Sequence, residues 1–286
     1  MSGRLATTLL LAALGLLVGP AHGGACPEPL RFADTGIEGA EELQRAYAGF
    51  ADLLSERLGT RVTFFPVGNR TTAINALRFR QLDVVLAGPS EYVLMGERVR
   101  GIQPLAAIER EAYYPVFVVR GDSPLDSIDD LRGRHVAMKD HGSTTGHILP
   151  TLMLHEHGFD LDRDLRVTLL GGARMEALAA GEVDAVGTGI RDVQPHLDRH
   201  GAGSLRVIAR GEEAPGDPFV AGAHLDAACV AQLRRVLVDH ADAVLDAILG
   251  SGRRDKYVQA RVVDVDDARY KGIRTAYRLL GLSRGR

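Results

Sequence analysis

Apolar residues recur along this chain at two alternating spacings, and the pattern predicts alternating strands and helices. Apolar runs at residues 83–88 and 135–138 predict buried strands, and a short strand is expected at residues 30–33. Apolar residues at helical spacing predict helices at 39–58, 71–80, 146–157 and 174–180, and Gly59 is expected to end the first of these. Further strands are expected at 61–66, 113–119, 166–170 and 185–187. This alternation is typical of α/β proteins with parallel sheets.

The second half of the chain repeats the pattern of the first. A helix that leads through Glu182-Val183-Asp184 into a strand parallels the earlier passage through Gln81-Leu82-Asp83. We therefore expect two similar α/β lobes. A strand at 205–209 is expected to return the chain to the first lobe, and helices are expected at 230–249 and 269–280.

The first 25 residues have the composition of a secretory signal peptide. Arg4 precedes a short apolar run, and small residues follow it, so cleavage is expected near Gly23 or Ala25. The run is too short for a confident membrane span. The sequence thus predicts an exported protein that is soluble outside the cytoplasm.

Cys26 directly follows the predicted signal peptide and has two alternative fates. Acylation of its thiol would anchor the protein to a membrane, although Gly23 occupies the position where a lipobox usually has Leu. Cys229 is the other cysteine of the chain, and two cysteines in an oxidising compartment more often pair than stay free. A disulfide between Cys26 and Cys229 is therefore the favoured expectation, with the lipid anchor as the alternative.

Composition narrows the class of ligand. The formal net charge of the chain is −3, and no block of Lys or Arg appears, which argues against nucleic acid as a partner. The chain has no Trp and few other aromatic residues. Hydrogen bonds and charge are consequently expected to hold a ligand in preference to stacking.

A turn rich in hydroxyl groups lies between the strand at 135–138 and the following helix, with the sequence Gly142-Ser143-Thr144-Thr145-Gly146. The first turn of a helix has N–H groups without intrahelical acceptors at the positive end of its dipole, which suits a small anion. The hydroxyls of Ser143, Thr144 and Thr145 add further donors. The alternative is a plain helix cap, for which one hydroxyl would be enough.

Other polar residues follow strands in both predicted lobes. Ser90 comes after the third strand, Thr188 after a strand of the second lobe, and Arg70 stands beside two Thr at a helix start. Ligands of α/β sheets bind at the carboxyl ends of strands, so these residues are further candidates. A surface ion pair is the alternative for Arg70. Arg174 and Arg191 also follow strands, and surface ion pairs are the favoured interpretation for both.

The sequence contains no recognisable catalytic motif. The chain has no G-x-S-x-G elbow, Walker A loop or H-E-x-x-H helix. His141, His147, His155 and His157 are interpreted as solvated residues on or near a helix end, because the imidazoles of residues 155 and 157 face different directions on a helix. We expect neither an enzyme nor a metal or other cofactor.

The ordered set of motifs resembles the periplasmic phosphate-, phosphite- and phosphonate-binding proteins, the phosphonate-binding branch of the type II substrate-binding proteins of ABC transporters. The resemblance extends from about residue 30 to about residue 249. Its most specific element is the hydroxyl turn at 142–146. Weaker elements in the right order are residues 76–84, 113–119, 182–184 and 215–218.

This resemblance implies a type II fold, with two α/β lobes, a hinge and a ligand cleft between them. It suggests a signal peptide at 1–25, lobe 1 from 26–112 and 211–286, and lobe 2 from 113–210. It also implies that the hydroxyl turn binds the ligand oxygens, with Tyr113 and Asp217 as further ligand-binding residues.

Three positions depart from the family pattern. Arg70 stands where the family has a tyrosine, Ala173-Arg174 where it has His-Glu, and Ile190-Arg191 near the site of an acidic residue. Basic residues at these places favour a small, fully charged oxyanion over an aminoalkyl phosphonate.

The expected function is therefore capture of phosphate, phosphite or phosphonate by a monomeric protein that delivers it to an ABC-transporter permease. The alternative is an input protein for a sensor kinase that recognises a related oxyanion. An enzyme on this fold would need a nucleophile with an oriented base, and the sequence offers neither.

Overall fold

The computed structural model describes residues 25–35, 40–67, 70–250 and 255–281, and the predicted signal peptide lies outside them apart from Ala25. Eleven strands and ten α-helices alternate along these described parts. They are β1 (Leu30–Asp34), α1 (Ala40–Ala46), α2 (Ala48–Leu58), β2 (Val62–Phe64), α3 (Arg70–Arg78), β3 (Val84–Leu86), α4 (Pro89–Arg98), β4 (Gln103–Glu109), β5 (Pro115–Arg120), β6 (His135–Met138), α5 (Leu149–Glu156), β7 (Arg166–Leu169), α6 (Arg174–Ala180), β8 (Ala185–Gly189), α7 (Gln194–His200), β9 (Leu205–Arg210), β10 (Asp217–Ala221), α8 (Ala227–Asp239), α9 (Ala241–Leu249), β11 (Arg261–Val263) and α10 (Lys271–Leu279).

Two separate sheets form the framework. The first has six strands in the order β11-β4-β10-β3-β1-β2, and the second has five in the order β7-β6-β8-β5-β9. Below, lobe 1 means the part of the chain that carries the first sheet, and lobe 2 the part that carries the second. Strands β1, β2 and β3 run parallel to one another, as do β6, β7 and β8, so their carboxyl ends share one edge of each sheet.

The expected parallel strands are present in both lobes, but each sheet also contains antiparallel strands that the sequence did not predict. Strand β10 runs antiparallel to β3 and β4, β11 runs antiparallel to β4, and β5 runs antiparallel to β8 and β9. A continuous apolar run reports burial on both faces, which an inserted antiparallel strand satisfies as well as a parallel one. The pattern therefore could not fix strand direction.

The strand at 205–210 does not return the chain to lobe 1. It forms β9, the edge of the second sheet, where Phe117 pairs with Ala209. The returning strand is β10, which is buried along its whole length and inserts between β3 and β4. Its strand signal in the sequence is weak, because Pro215 and Pro218 flank Gly216 and Asp217 at its start.

Three predicted helices differ from the observed ones. The helix expected at 39–58 is divided at Tyr47 into α1 and α2, and the one expected at 230–249 is divided at His240 into α8 and α9. The helix expected at 146–157 begins as a π-helical turn, Thr144–Ile148, before α5. Apolar periodicity continues through such breaks, so it does not reveal them.

The chain passes between the lobes twice, through residues 110–114 and residues 211–216, and we call these segments the crossovers. They are joined to each other, since the Ala214 N–H donates to the Tyr113 carbonyl at 2.7 Å and the Gly211 N–H donates to the Pro115 carbonyl at 2.9 Å. Helix α10 adds another link, because its Ile273 belongs to the same apolar cluster as Ile148 of lobe 2.

Cys26 and Cys229 form a disulfide that ties the residues before β1 to α8. Both cysteines are buried in the main apolar cluster of lobe 1. A paired cysteine has no thiol to acylate, so this bond favours the disulfide over the lipid anchor as the state of Cys26. In the described ranges, no helix combines the length and hydropathy that a membrane span requires.

Candidate functional site

The hydroxyl turn of lobe 2 is built by two glycines. Gly142 has a positive φ of 85°, which few other residues adopt without strain. A Cβ on Gly146 would lie 2.6 Å from the Cβ of Lys139, and the Gly146 carbonyl accepts a hydrogen bond from the Lys139 N–H at 2.8 Å. These contacts fold residues 142–146 tightly against the end of β6. The three hydroxyl residues therefore occupy the start of the helical segment that continues into α5.

The three hydroxyl residues differ in exposure and contacts. Thr144 is buried, whereas Ser143 and Thr145 are half-buried. Ser143 has extended backbone dihedrals, and its carbonyl accepts from the N–H groups of His147 and Ile148. Gly189 lies against Thr145, since a Cβ at that glycine would be 2.6 Å from the Thr145 Oγ1. The turn thus has one buried hydroxyl residue and two that are partly exposed.

The start of α4 is the corresponding feature of lobe 1. Gly88 precedes the helix, Pro89 occupies its first position, and the Gly88 N–H donates to the Thr35 Oγ1 at 3.2 Å. Ser90 and Glu91 follow and are both buried. Pro is favoured at the first helical position because it has no N–H to leave unpaired there. The helix therefore begins at the carboxyl-end edge that β1 and β3 share.

Ser90 and Thr144 are joined by hydrogen bonds between the lobes. The Ser90 N–H donates to the Thr144 Oγ1 at 3.2 Å, and the Thr144 hydroxyl donates to the Ser90 Oγ at 2.9 Å. The Ser90 hydroxyl is 2.6 Å from the Gly142 carbonyl and 2.9 Å from the Glu91 Oε2, so it can donate to either oxygen. The predicted residues of the two lobes therefore meet at one point.

Tyr113 lies on the first crossover beside this point. Burial raises the pKa of its phenol to about 12, although the Arg110 charge and a hydrogen bond with Thr144 oppose the rise. The Arg110 guanidinium carbon lies 3.4 Å from the centroid of the Tyr113 ring. The backbone N–H of Tyr113 donates to the Oε2 of Glu213, on the other crossover, at 3.2 Å. Tyr113 thus connects the hydroxyl cluster with the crossovers.

Asp217 is buried at the start of β10 and already has partners on both carboxylate oxygens. Arg110 donates to one oxygen at 2.6 Å and Tyr257 to the other at 2.8 Å, while the Lys256 Nζ lies 3.8 Å away. Burial alone would lower the pKa of Arg110, but Asp217 together with Tyr113 and Tyr257 outweighs burial and raises that pKa. Asp217, which follows the second crossover, therefore neutralises the charge of Arg110, which begins the first crossover.

Thr188 and Arg174 form a second buried cluster, at the carboxyl end of β8. Arg174 donates to the Thr188 Oγ1 through Nε at 3.2 Å and through Nη2 at 3.0 Å, and it pairs with Asp192 at 2.5 Å. The Lys139 Nζ lies 3.9 Å from the same carboxylate. The interpretation of Arg174 as a surface ion pair is wrong, since its side chain is 5% exposed. Its charge is compensated within lobe 2.

Arg191 and Arg70, the other two arginines considered from the sequence, do not belong to this buried cluster as described. Arg191 donates to the Glu111 carbonyl at 3.4 Å, so it connects lobe 2 to the first crossover. Arg70 is the first residue of α3, at the same sheet edge as α4, but its side chain lies outside the described residues. Its role as a ligand-binding residue therefore stays a prediction.

The prediction that the histidines of this region are solvated is wrong for His147. His147 is buried, and its Nδ1 accepts the Gly142 N–H at 3.3 Å. Burial, with a smaller contribution from His141, lowers the pKa of His147 to about 4. At neutral pH it is therefore an uncharged support of the hydroxyl turn, and His155 and His157 are exposed as expected.

Two further residues of this region, Glu91 and Arg110, were not predicted from the sequence. Glu91 follows a Gly-Pro-Ser sequence after a buried strand, and that position could have suggested a residue in the first turn of a helix. Arg110 has no comparable local signal, because its partner Asp217 is 107 residues away. Among the described residues, no group of three or more His, Cys, Asp or Glu side chains could hold a metal ion.

A sizeable cavity lies apart from the hydroxyl cluster. It has a volume of about 630 Å³ and is lined by residues of α5, the second crossover and the start of α10. None of the predicted site residues lines it. Its position reflects the packing of α10 across the two lobes, and the hydrogen-bonding groups described above are the stronger indication of a ligand site.

Two α/β lobes, two crossovers and polar residues that meet between the lobes define a two-lobed solute-binding protein. The fold is confirmed by PhnD1 of Prochlorococcus marinus, solved in complex with methylphosphonate, which superposes with a TM-score of 0.69 over 89% of this chain and 99% of that chain at 19% identity. This likeness shows the type II periplasmic-binding-protein fold.

Residues 35–265 match the family model for the periplasmic phosphonate substrate-binding proteins of ABC transporters, and the chain belongs to this family. The phosphonates-binding periplasmic protein of Escherichia coli is 25% identical over 72% of this chain and 64% of its own length. The phosphate-import protein PhnD of Mycolicibacterium smegmatis is 24% identical over 87% of this chain and 84% of its own length. The predicted family is therefore confirmed.

Proposed function

We propose that this protein captures a small phosphorus oxyanion (phosphate, phosphite or a small phosphonate) between its lobes for uptake by an ABC transporter. The observation that carries the proposal is the contact between Ser90 and Thr144, which brings the start of α4 and the hydroxyl turn together. The Ser90 N–H and the Thr144 O–H donate to each other's residue in this contact, and both groups would donate to an oxyanion that lies between the lobes. The names of the relatives, which specify phosphonates and phosphate, support this ligand class.

In this proposal, Ser143, Thr144 and Thr145 donate hydrogen bonds to the oxyanion from lobe 2, and Ser90 donates from lobe 1. Arg70 supplies positive charge from the start of α3, where a guanidinium can bind two oxygens of one anion. The burial of Ser90 and Thr144 supports their part, because hydrogen bonds to a charged group contribute more when water is excluded.

Tyr113, Asp217 and Thr188 have different roles in the proposed site. Tyr113 bounds the site from the first crossover and holds the Thr144 hydroxyl in place. Asp217 and Thr188 act indirectly, since they fix Arg110 and Arg174 respectively. The buried ion pairs keep the crossovers and the end of β8 in a defined arrangement around the ligand.

The protein works in the periplasm after removal of residues 1–25 and delivers its ligand to a permease as a monomer. It is a binding protein and not an enzyme. The division at residues 112/113 and 210/211 separates the two lobes, and the crossovers act as the hinge. Family membership supports these assignments, because such proteins work with ABC permeases.

Calorimetry of the mature protein with phosphate, phosphite, methylphosphonate and sulfate tests the proposal. We expect tight binding of at least one phosphorus oxyanion and a rise in melting temperature on addition of that ligand. Ser143→Ala and Thr144→Ala are each expected to weaken binding by about tenfold, which corresponds to the loss of one charge-assisted hydrogen bond.

Ser204→Ala is a matched control, because the hydroxyl of Ser204 bonds to the Gly201 carbonyl within lobe 2, away from the hydroxyl turn. It should leave the affinity unchanged. Failure of every phosphorus oxyanion to bind would contradict the proposal. A large loss of stability in the ligand-free Ser143→Ala and Thr144→Ala proteins, without a selective loss of binding, would instead favour the plain helix cap.

A further inference from the structure

We propose that α10, the last helix of the described chain, is a strap that holds the lobes closed, in the arrangement where Ser90 and Thr144 are in contact. An apolar contact outside the ligand site then controls how readily the lobes open and release a ligand. The proposed function supplies only the hinge, which the crossovers form, and the identity of the ligand does not enter. None of the residues of the proposed site lies on this helix.

The start of α10 is fixed to lobe 1 by specific contacts. Tyr270, directly before the helix, donates from its hydroxyl to the Gly216 carbonyl at 2.9 Å, at the end of the second crossover. The Tyr92 hydroxyl of α4 donates to the Asp267 Oδ1 at 2.7 Å, and the Tyr92 and Tyr270 ring centroids are 4.8 Å apart. Because hydrogen bonds have narrow limits of distance and angle, these contacts hold the helix in one position. We therefore expect α10 to move with lobe 1.

The same helix packs against lobe 2, along α5 and the π-helical turn. Ile273 and Ile148 belong to one buried apolar cluster, and Leu149 and Leu152 pack against it. The two helices are close at Gly272, because a Cβ there would lie 3.5 Å from the Leu152 Cδ2. The free energy of such an apolar contact is roughly proportional to the area removed from water. Opening of the lobes returns part of this area to water, so the contact opposes opening.

The contact extends from the hinge to the hydroxyl turn. At one end, Gly272 and Ile273 line the cavity of about 630 Å³ together with residues 211–215 of the second crossover. At the other end, a Cβ on Gly142 would lie 3.9 Å from the Tyr277 Oη. A rotation about the crossovers displaces the points far from the hinge most. The part of α10 beside the hydroxyl turn must therefore separate from lobe 2 when the lobes open.

The strap affects a ligand through the lobes and not through contact with it. A ligand enclosed between closed lobes leaves only when they open, so a contact that opposes opening slows dissociation. The same contact raises the closed fraction of the ligand-free protein. A change in the strap should consequently alter both the ligand-free shape and the dissociation rate.

Two substitutions change the contact in opposite directions. Leu152→Ala removes apolar atoms that face α10, so small-angle X-ray scattering of the ligand-free protein should give a larger radius of gyration than the wild type. Dissociation of phosphate or methylphosphonate, measured by stopped flow, should become about tenfold faster. Gly272→Ala adds a methyl group in ordinary van der Waals contact with Leu152. It should leave the radius no larger and slow dissociation by about threefold.

Leu197→Ala and Gly96→Ala are the matched controls. Leu197 is a half-buried leucine of α7 that packs on an apolar cluster within lobe 2. Gly96 is a helical glycine of α4, and a Cβ there would lie 4.0 Å from the Ile102 Cδ1 of lobe 1. These variants repeat the two chemical changes away from the contact between α10 and α5. They should keep the wild-type radius and dissociation rate, while melting temperatures report stability separately.

The outcomes separate the strap from the proposed function. If no phosphorus oxyanion binds, the proposed function fails, and the radius of gyration of Leu152→Ala still decides whether α10 holds the lobes. If an oxyanion binds but Leu152→Ala keeps the wild-type radius and dissociation rate, the proposed function stands and the strap is overturned. An equal effect of Leu197→Ala also overturns it, because that result describes a general loss of stability in lobe 2. Gly272→Ala, which removes no atoms, decides the matter if Leu152→Ala does not fold.

Discussion

Ser90 of lobe 1 and Thr144 of lobe 2 exchange two hydrogen bonds, one through the Ser90 N–H at 3.2 Å and one through the Thr144 hydroxyl at 2.9 Å. Each residue stands at the beginning of a helical segment that follows a buried strand. Because both side chains are buried, the bonds are protected from competition by water. The contact therefore couples the arrangement of the lobes to the groups proposed to bind the oxyanion.

Replacement of Thr144 by Val should loosen this contact. The change removes the hydroxyl that bonds to Ser90 and leaves the buried Ser90 N–H without that acceptor, at a cost of about 1–3 kcal/mol. We expect faster amide hydrogen exchange at residues 88–92 and 143–148. Thr168→Val is the control, since the Thr168 hydroxyl contacts His135 within lobe 2. Unchanged exchange in both segments would refute the coupling.

A methyl group at Gly189 should displace the Thr145 hydroxyl without unfolding lobe 2. The new Cβ would lie 2.6 Å from the Thr145 Oγ1, which is the end of a side chain that can rotate away. Gly189→Ala is therefore expected to weaken oxyanion binding by several-fold while the melting temperature of the ligand-free protein changes little. Gly172→Ala, where no atom lies within 4 Å of the added Cβ, should change neither quantity. Normal affinity in Gly189→Ala would argue against a ligand contact by Thr145.

The hydroxyl turn could be predicted from sequence because its signal is local. A strand, two glycines and three hydroxyl residues within a few positions indicate the turn without knowledge of the rest of the fold. The disulfide and the alternation of strands and helices are similarly readable, since they depend on composition, compartment and periodicity.

The charged partners could not be predicted in the same way. Arg110 and Asp217 lie 107 positions apart, and Arg174 meets Asp192 only because α6 and the end of β8 are adjacent in the fold. The burial of His147 likewise accompanies the packing of α10, far along the chain, against the helical turn at 144–148. Long-range packing decides whether a charged or titratable residue is solvated, paired or neutral, and no local pattern encodes it.

The ion pair between Arg110 and Asp217 should be important for stability at the crossovers. Their side chains are 12% and 2% exposed, so Arg110→Met leaves a buried carboxylate without its closest cation. Loss of one partner of a buried pair costs about 3–5 kcal/mol, and urea unfolding should show a decrease of this size. The double variant Arg110→Met/Asp217→Asn should recover much of the loss, because no unpaired charge remains.

The matched control for this pair is Arg120→Met, because Arg120 pairs with Asp122 at the surface. That variant should unfold at nearly the wild-type urea concentration. A decrease in stability in Arg110→Met no larger than in Arg120→Met would show that the buried pair contributes little.

Removal of the disulfide should destabilise lobe 1 strongly. Cys26 and Cys229 are 203 residues apart, and a cross-link over so long a loop restricts the unfolded chain by about 5 kcal/mol in the chain-entropy description. We expect the Cys26→Ser/Cys229→Ser variant to unfold at a lower urea concentration than the wild type, and the reduced wild-type protein to behave similarly. A variant as stable as the oxidised wild type would contradict this expectation.

The stability of the protein should fall between about pH 6.5 and pH 4 in a way that depends on His147. Burial lowers its pKa from 6.5 to about 4 in the folded state. Above pH 6.5 the imidazole is neutral in both states, so its contribution to stability is complete. Below pH 6.5 the unfolded chain binds a proton that the folded chain does not, and stability is lost until about pH 4.

A shift of this size corresponds to roughly 3 kcal/mol of stability lost across that range. His147→Gln cannot titrate, although its amide oxygen can still accept the Gly142 N–H. Its free energy of unfolding, measured with urea at several pH values, should therefore decrease less steeply than that of the wild type. His155→Gln removes an exposed histidine of the adjoining helix α5 and should keep the wild-type slope. Equal slopes in the wild type and His147→Gln would show that His147 is not held neutral by burial, and that the hydroxyl turn does not depend on its protonation state.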